Sequence, residues 1–207
     1  MNKPIIMLGN GGHASVLTEI LLAQGEEILG FTALSHDYNC FDLSYLGTDE
    51  IVLNYQPSEV ALVLAFGMVK PSLLRENIFR FFSQKGFQFK SVIHPTAIIA
   101  PSAKLGQSVQ VMAGSVIQTN TIIADNTIVN TGALIDHDCQ IESHVHIAPG
   151  VRVSGNVHIG TGTHIGTGAT VIQGIKIGTS CLIGAGAVVI KNIANNKKAV
   201  GVPAKEV

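Results

Sequence analysis

The sequence predicts a chain of two parts: an α/β N-terminal domain with a small parallel, Rossmann-like sheet, and then a left-handed parallel β-helix of hexapeptide repeats. Three observations support this fold class. All eleven aromatic residues lie between Phe31 and Phe89, so the last 118 residues contain none. The first ninety residues alternate strand-like and helix-like apolar patterns. From Ile99 onwards, an aliphatic residue returns at every sixth position.

The first ninety residues are expected to form a parallel sheet flanked by helices, because strands alternate with helices along the chain. Short apolar runs predict strands at 5–8, 27–32, 60–66 and 89–93. The helical spacing of Val16, Ile20, Leu21 and Ala23 predicts a first helix that extends up to Gly25. A second, amphipathic helix is expected over 73–84, since Pro71 stands near its start and Gly86 just past its end.

A glycine loop joins the first strand to the first helix. Gly9, Asn10, Gly11, Gly12 and His13 lead into Ala14, which fits the pattern G-x-G-x-x-A. Such a loop lets backbone approach a phosphate at a helix N-terminus, although a tight strand-to-helix turn would need similar residues.

The acidic residue of a dinucleotide site is missing from its usual place. It should follow the second strand, about 20 residues after the loop, where it holds the ribose hydroxyls. The residues there are FTAL at 31–34, and no carboxylate comes before Asp37. The sequence therefore favours a shorter phosphate-bearing ligand over NAD.

The second half is a hexapeptide repeat. The aliphatic positions are Ile99, Leu105, Val111, Ile117, Ile123, Val129, Ile135, Ile141, Ile147, Val153, Ile159, Ile165, Val171, Ile177, Ile183 and Val189. This period is typical of a parallel β-helix, in which three hexapeptides make a triangular coil of eighteen residues. The aliphatic residue fills an interior too narrow for aromatic rings. Flat faces of low charge favour self-association, and we expect a homotrimer.

Five of the eight histidines fall between residues 137 and 164. His137 stands in a turn between Asp136 and Asp138, and a histidine with a carboxylate neighbour is a candidate general base. At eighteen residues per coil, Gly155 should stack on His137, and His164 on His146. The alternative for His137 is a solvated surface residue.

Metal and thiol chemistry are not expected. His146, His158 and His164 share one position in the repeat, but no carboxylate completes a metal-binding set. Cys139 occupies the small corner position and should pack there rather than act as a nucleophile.

Composition excludes several functions. A net charge of −1 lacks the basic footprint of a nucleic-acid-binding protein. Three cysteines, including Cys40 and Cys181, are too few and too scattered for a disulfide framework. The longest apolar run, 60–69, is too short to span a bilayer, so we expect no membrane insertion and a cytoplasmic protein. We expect domains at 1–94 and 95–190, followed by a tail at 191–207.

The motifs VMAG at 111–114, NTGALIDHDC at 130–139 and GVPAK at 201–205 resemble those of bacterial nucleotide-amino-sugar N-acetyltransferases. These are the bacillosamine and perosamine N-acetyltransferases and their sialic-acid O-acetyltransferase relatives. Nearly the whole chain shares the likeness, because that family also opens with a strand and a G-x-G-G-H loop. The resemblance implies direct transfer of acetyl from acetyl-CoA, without a metal, to the 4-amino group of a nucleotide-linked 4-amino-4,6-dideoxyhexose. The product would enter a surface glycan, such as O-antigen, lipopolysaccharide or glycoprotein.

The resemblance also implies roles for particular residues. His137 would be the base, Asp138 its acidic partner, and Asn130 would lie at the sugar. His146 and the Gly155 amide would hold the thioester end of acetyl-CoA, while Thr167 and Ala185 line its arm. The loop from Gly9 to His13 would bind the nucleotide diphosphate, with Gly67 nearby. Active sites would form between neighbouring subunits of the trimer.

The chain departs from that family after the second strand. Relatives carry acidic residues there, whereas this sequence has Thr32 and Ala33. The nucleotide base therefore stays open, and only the resemblance favours UDP- or dTDP-linked sugars over GDP-linked ones. The main competing activity is O-acetylation of a sialic or related sugar. Two more distant functions also stay open, a non-catalytic β-helix with a nucleotide-sensing head and a metal-dependent hydrolase.

Overall fold

The computed structural model describes residues 3–35 and 41–207. Asp37 and Cys40 thus lie outside the described residues. The chain forms two compact units, the first comprising Met1–Gly67 and Leu74–Val92, the second Met68–Leu73 and Ile93–Val207. We expected the domain boundary at 94/95, and the chain changes from the first unit to the second at 92/93. The segment Met68–Leu73 also belongs to the second unit, although the residues before and after it belong to the first.

The first unit is a parallel sheet with helices. Its strands are β1 (Ile5–Leu8), β2 (Ile28–Thr32), β3 (Tyr45–Gly47), β4 (Ala61–Leu64) and β5 (Gln88–Phe89), in the order β3-β2-β1-β4-β5. Its helices are α1 (Gly12–Ala23), a 3₁₀ helix (Asp49–Asn54) and α2 (Leu73–Gln84). The order reverses between β1 and β4, so their carboxyl ends form the crevice where ligands bind in such sheets.

Three expectations about this unit differ from the structure. The apolar run 89–93 divides into β5 and a strand of the second unit, because Lys90 still bonds to Leu62 while His94 already bonds to Val111. Strand β3 was not predicted. In α1, two of the apolar residues that give the helical spacing lie off the buried face, since Val16 and Ala23 are exposed. The buried positions are Ala14, Leu17, Thr18, Ile20 and Leu21.

The second unit is a β-helix of very short strands. They are β6 (Val92–Ile93), β7 (Ile98–Ile99), β8 (Lys104–Leu105), β9 (Gln110–Val111), β10 (Val116–Ile117), β11 (Ile122–Ile123), β12 (Ile128–Val129), β13 (Leu134–Ile135), β14 (Gln140–Ile141), β15 (His146–Ile147), β16 (Arg152–Val153), β17 (His158–Ile159), β18 (His164–Ile165), β19 (Thr170–Val171), β20 (Lys176–Ile177), β21 (Leu182–Ile183), β22 (Val188–Val189), β23 (Lys198–Val200) and β24 (Lys205–Glu206). Each aliphatic residue of the repeat is the second residue of its strand, which confirms the predicted period.

The strands stack into three parallel sheets. Sheet I contains β7, β10, β13, β16, β19 and β22; sheet II contains β8, β11, β14, β17 and β20; and sheet III contains β9, β12, β15, β18 and β21, extended at its ends. Partners differ by eighteen residues, as Ile117 and Ile135 do in sheet I. The predicted coil of eighteen residues is confirmed, so the number of a residue within the repeat tells on which sheet or corner it lies.

From the turn after Leu105 to the turn after Ile183, each turn contains one residue with a left-handed backbone, three positions after the inward aliphatic. In corner I–II, between sheets I and II, these residues are Asn120, Asp138, Asn156 and Gly174. In corner II–III they are Ser108, Asn126, His144, Gly162 and Ser180. In corner III–I they are Gly114, Gly132, Gly150, Gly168 and Gly186. Only corner III–I is glycine throughout this run of coils.

Within the described ranges, α1 and α2 have twelve residues each, and no helix there is long and apolar enough to cross a membrane.

Candidate active site

His137 lies in corner I–II, in the turn between β13 and β14. The Asp136 carboxylate accepts the His137 backbone N–H at 2.8 Å, which fixes the start of the turn. Asp138 adopts the left-handed conformation (φ 59°), and its Oδ2 lies 2.8 Å from the Nδ1 of His137. The other oxygen, Oδ1, accepts the Asn120 amide of the preceding coil at 3.2 Å. The carboxylate thus places the proton on Nδ1 and leaves the Nε2 lone pair free for a substrate.

The electrostatics of this pair suit a general base. The hydrogen bond to Asp138, helped by the charges of Asp136 and Asp138, raises the pKa of His137 above its usual value. The same bond, with that from Asn120, lowers the pKa of Asp138. Asp138 therefore stays ionised while the imidazole becomes a stronger base. About half of each side chain is exposed, so substrate has access to the ring.

Gly155 lies directly against the His137 ring, one coil further on, as the period of eighteen predicts. A Cβ atom at Gly155 would stand 2.6 Å from both Cε1 and Nε2 of the imidazole. The position therefore requires glycine because of contact, since its backbone is not left-handed. Among the described residues, the Gly155 N–H donates no backbone hydrogen bond, whereas its carbonyl accepts from Gly174.

His146 and Asn130 belong to a different group, on sheet III and corner III–I. The Nδ1 of His146 donates to the Met68 carbonyl, and its Nε2 lies 3.1 Å from the Asn130 side-chain amide. The Asn130 oxygen accepts the Thr131 N–H at 2.8 Å, so the amide nitrogen must face the imidazole. His146 is buried, and its Nε2 accepts the hydrogen bond of the Asn130 amide. The predicted stacking of His164 on His146 is present, since the two rings pack edge to face with their centroids 4.9 Å apart.

Thr167 and Ala185 are exposed on corner III–I, stacked through the bond from the Gly186 N–H to the Thr167 carbonyl. Above the left-handed glycines of this corner, from Gly114 to Gly186, added Cβ atoms would meet nothing within 4 Å. The corner is a ridge of bare backbone. At the same backbone angles, the other two corners carry Asn, Asp, Ser and His, so conformation alone does not demand glycine here.

The structure therefore divides the expected site residues of the β-helix between two corners of one chain. His137, Asp138 and Gly155 lie together on corner I–II. Asn130, Thr167 and Ala185 lie on corner III–I, beside His146. Sheet I separates the two groups. Asn120 was missed by the sequence analysis, although it stands eighteen residues before Asp138 and the same arithmetic would have found it.

The remaining expected residues lie in the first unit. Gly9 has φ 114°, and its Cβ would stand 3.2 Å from the Ala65 carbonyl oxygen, so packing and conformation both require glycine. Gly11 and Gly12 are exposed, and a Cβ on either would meet nothing within 4 Å. Asn10 and His13 complete this loop, and Gly67 is exposed after β4.

A buried arginine, not predicted from the sequence, holds the backbone near Gly67. The Nη1 of Arg75 donates to the carbonyls of Leu64 and Phe66, at 3.1 and 2.5 Å. Burial lowers the pKa of Arg75 to about 9.

Neither a metal site nor a reactive thiol is visible in the described part of the chain. No cluster of three or more His, Cys, Asp and Glu side chains there could hold a metal ion. Burial raises the pKa of Cys139, whose Sγ donates to the Ser154 carbonyl at 3.2 Å. Thr121, one coil earlier, bonds to the Asp136 carbonyl in the same way. Cys139 is thus a packing residue.

Comparison with known proteins gives two family matches. Residues 4–80 match the PglD N-terminal domain, and residues 138–173 match the bacterial transferase hexapeptide (six repeats). No curated protein sequence matches the chain.

Solved structures match the full chain. The acetyltransferase domain of PglB from Neisseria gonorrhoeae, in complex with acetyl coenzyme A, is 34% identical with a TM-score of 0.93, covering 100% of both chains. A variant of GDP-perosamine N-acetyltransferase from Caulobacter crescentus, in complex with CoA and GDP-perosamine, is 34% identical with a TM-score of 0.93, covering 99% of this chain and 96% of that one. WeeI from Acinetobacter baumannii, 24% identical over both full lengths with a TM-score of 0.87, shares the fold.

Proposed function

The chain belongs to the family of hexapeptide-repeat sugar acetyltransferases, and we propose that it acetylates the 4-amino group of a nucleotide-linked 4-amino-4,6-dideoxyhexose. It is an acetyl-CoA-dependent acyltransferase, and acetyl-CoA is its co-substrate. The finer assignment rests on one observation: His137 is held by Asp138 in the tautomer of a base and lies against Gly155, whose N–H donates no backbone hydrogen bond among the described residues. In keeping with the resemblance, we propose UDP or dTDP rather than GDP as the carrier, and a surface glycan as the destination.

The geometry supports direct transfer with His137 as the base. An attacking amine becomes cationic as its nitrogen bonds to the acetyl carbon, and the Nε2 of His137 would accept the proton it loses. The carbon–sulfur bond breaks, and the protonated His137 would return that proton to the departing sulfur. The Gly155 N–H would stabilise the oxyanion that develops on the acetyl oxygen. No side chain needs to carry the acetyl group when both substrates meet at this turn.

The bare ridge of corner III–I supports its assignment to the pantetheine arm of acetyl-CoA. Glycine lets a ligand approach the backbone closely. Thr167 and Ala185 lie on this ridge, and Asn130 lies on the same corner beside His146. We therefore propose that His146, Thr167 and Ala185 contact acetyl-CoA, and that Asn130 contacts the sugar.

A homotrimer would unite the two corners. Four of the six side chains that point outward from sheet I are apolar. In strand order the six are Ile98 (65% exposed), Val116, Leu134 (38% exposed), Arg152, Thr170 and Val188. Burying such a strip between copies would stabilise an assembly. Packing by sheet I would bring corner I–II of one protomer to corner III–I of the next, so that each proposed active site would draw on two subunits.

The open glycine loop supports a nucleotide diphosphate site in the first unit. Packing and conformation explain Gly9, but they do not explain Gly11 and Gly12, which leave the N-terminus of α1 uncovered. Backbone N–H groups at such a terminus favour negative charge. We propose that residues Gly9 to His13, with Gly67, bind the diphosphate.

An acceptor panel tests this function. CoA release would be measured with acetyl-CoA and UDP-, dTDP- and GDP-linked 4-amino sugars, each beside its 4-hydroxyl counterpart. We expect turnover of an amino sugar, and a loss of about 10²- to 10⁴-fold in kcat for His137→Ala with substrate binding largely retained. Turnover of the hydroxyl sugars alone would establish an O-acetyltransferase. Unchanged kcat in His137→Ala would refute the assignment of the base.

A further inference from the structure

Asp49 stands at the ligand-binding edge of the first-unit sheet. Strand β3 ends at Gly47, and the 3₁₀ helix begins two residues later at Asp49. The end of β3 lies beside the end of β2, because Thr32 pairs with Gly47. The carboxyl ends of parallel strands are where such sheets bind nucleotides.

Two hydrogen bonds connect Asp49 to the glycine loop. The Thr32 hydroxyl donates to the Oδ1 of Asp49 at 2.5 Å, and Thr32 itself is fully buried as the last residue of β2. The Thr32 carbonyl in turn accepts the Gly9 N–H at 2.9 Å. A single buried residue therefore joins the first glycine of the loop to the Asp49 carboxylate.

Thr32 occupies the place where a nucleotide-binding sheet usually carries its acidic residue. Its short hydroxyl side chain instead anchors a carboxylate from seventeen residues further along the chain. Asp49 is only partly buried, and it lines an apolar recess of about 340 Å³ with Ile78 and Phe81 of α2. Within the described ranges, Oδ2 of Asp49 has no hydrogen-bond partner, so one oxygen is held and the other is available.

We propose that Asp49 accepts a hydrogen bond from the ribose 2′-hydroxyl of the nucleotide-linked substrate, and that it thereby selects ribonucleotides over 2′-deoxyribonucleotides. Of the two carriers proposed above, this contact favours UDP over dTDP, which has no 2′-hydroxyl. A carboxylate is an acceptor only, and a sugar hydroxyl is the donor that complements it. Ribose is bonded directly to the diphosphate, which fits a carboxylate two hydrogen bonds away from the loop. This inference rests on the proposed function, because it requires the diphosphate to lie at residues 9–13.

Binding of paired nucleotides tests the inference. Calorimetry with the full chain would compare UDP with 2′-deoxy-UDP, and GDP with 2′-deoxy-GDP. A hydrogen bond to a charged group predicts that removing the 2′-hydroxyl weakens binding about 10-fold to 100-fold in the wild type. In Asp49→Ala we expect the deoxy-to-ribo ratio of Kd to fall to about one, because both nucleotides then lack the contact.

Two further variants guard this result. Asp49→Asn keeps an oxygen that accepts the Thr32 hydroxyl, so it provides a folded variant if Asp49→Ala does not fold. It should also lower the deoxy-to-ribo ratio of Kd. Glu50→Ala removes an exposed carboxylate from the same 3₁₀ helix and should leave the ratio unchanged. Equal binding of ribo- and deoxynucleotides by the wild type, or a ratio that survives both Asp49 variants, would overturn the inference. A wild type that binds no nucleotide would instead refute the proposed function itself.

Discussion

The two aspartates beside His137 are chemically alike but have different roles. Asp136 accepts the backbone N–H of His137 and shapes the turn, while Asp138 accepts the ring N–H and sets the tautomer. Both raise the pKa of His137, but the hydrogen bond that His137 donates to Asp138 is the largest cause. The pair therefore offers an internal comparison between charge alone and charge with a directed hydrogen bond.

Replacing Asp138 by asparagine should move the acid limb of the pH profile. His137 must be neutral to act as a base, so kcat/KM falls as the pH drops through its pKa. Because Asp138 raises that pKa, Asp138→Asn should lower it and shift the limb to lower pH. The plateau should fall about tenfold or more, since the base becomes weaker and its tautomer is no longer imposed. We would measure kcat/KM of both enzymes from about pH 5 to 9, the range in which a histidine titrates. Because both are assayed with the same acceptor, the titration of its amine affects both profiles equally.

Asp136→Asn is the matched control, with the same loss of charge one residue before the ring. It should shift the acid limb of the pH profile less than Asp138→Asn does, and kcat/KM on the plateau should stay close to the wild-type value. Equal shifts in the two variants would mean that charge alone, not the hydrogen bond to Nδ1, sets the basicity of His137.

Gly155→Ala should impair catalysis while sparing the fold. Its Cβ would stand 2.6 Å from the imidazole, which must move, and the ring is half-exposed and free to do so. A displacement of about 1 Å costs on the order of 10² in rate, whereas the melting temperature should change little. The double variant His137→Ala/Gly155→Ala has no ring to displace and should be no slower than His137→Ala. Additive losses in the double variant would show that Gly155 acts independently of the ring.

At the scale of elements, the corners of the β-helix separate two reasons for glycine. All three corners use left-handed residues, but only corner III–I uses glycine from Gly114 to Gly186. Asn at Asn120, Asn126 and Asn156 shows that a side chain is tolerated at these angles. The glycines of corner III–I are therefore better explained by the close approach of a ligand than by the turn.

Gly168→Asn should accordingly fold and yet bind acetyl-CoA poorly. A side chain there would meet nothing within 4 Å of its Cβ in the free chain, but it would stand on the ridge next to Thr167. We expect KM for acetyl-CoA to rise about tenfold or more while KM for the sugar nucleotide stays constant. Gly162→Asn makes the same exchange at φ 71° on corner II–III and should leave both constants unchanged. Similar kinetic effects at the two corners would contradict the ridge assignment.

The repeat made the β-helix predictable, because one aliphatic residue per hexapeptide directly encodes a strand and a turn. The same arithmetic placed Gly155 against His137 and His164 against His146. The first unit was harder to predict. Strand β3 has three residues and little local signal, and Val16 fits a helical face without being on the buried one. The contacts of Thr32 with Asp49 and of Arg75 with Leu64 join distant residues, so no local pattern reveals them.

At the scale of the whole molecule, the main consequence is the division of the site. One chain carries the proposed base on corner I–II and the proposed acetyl-CoA ridge on corner III–I, with sheet I between them. Two protomers that pack through the apolar side of sheet I would each supply what the other lacks. This arrangement makes a prediction that no single-chain site would make.

Two inactive variants should restore activity when they are mixed within one assembly. His137→Ala removes the base, and Ala185→Trp blocks the exposed ridge of corner III–I. In every mixed trimer, the intact corner I–II of one variant meets the intact corner III–I of the other at one of the three interfaces, so about a third of wild-type activity should return in the mixed trimers. His137→Ala mixed with Gly155→Ala, both on corner I–II, should give no recovery, because every site then contains a defective corner. Activity of purified mixed trimers, selected by two different tags, measures the effect. Recovery in neither mixture would place the complete site within one chain, whereas recovery confined to the first requires that neighbouring subunits share it.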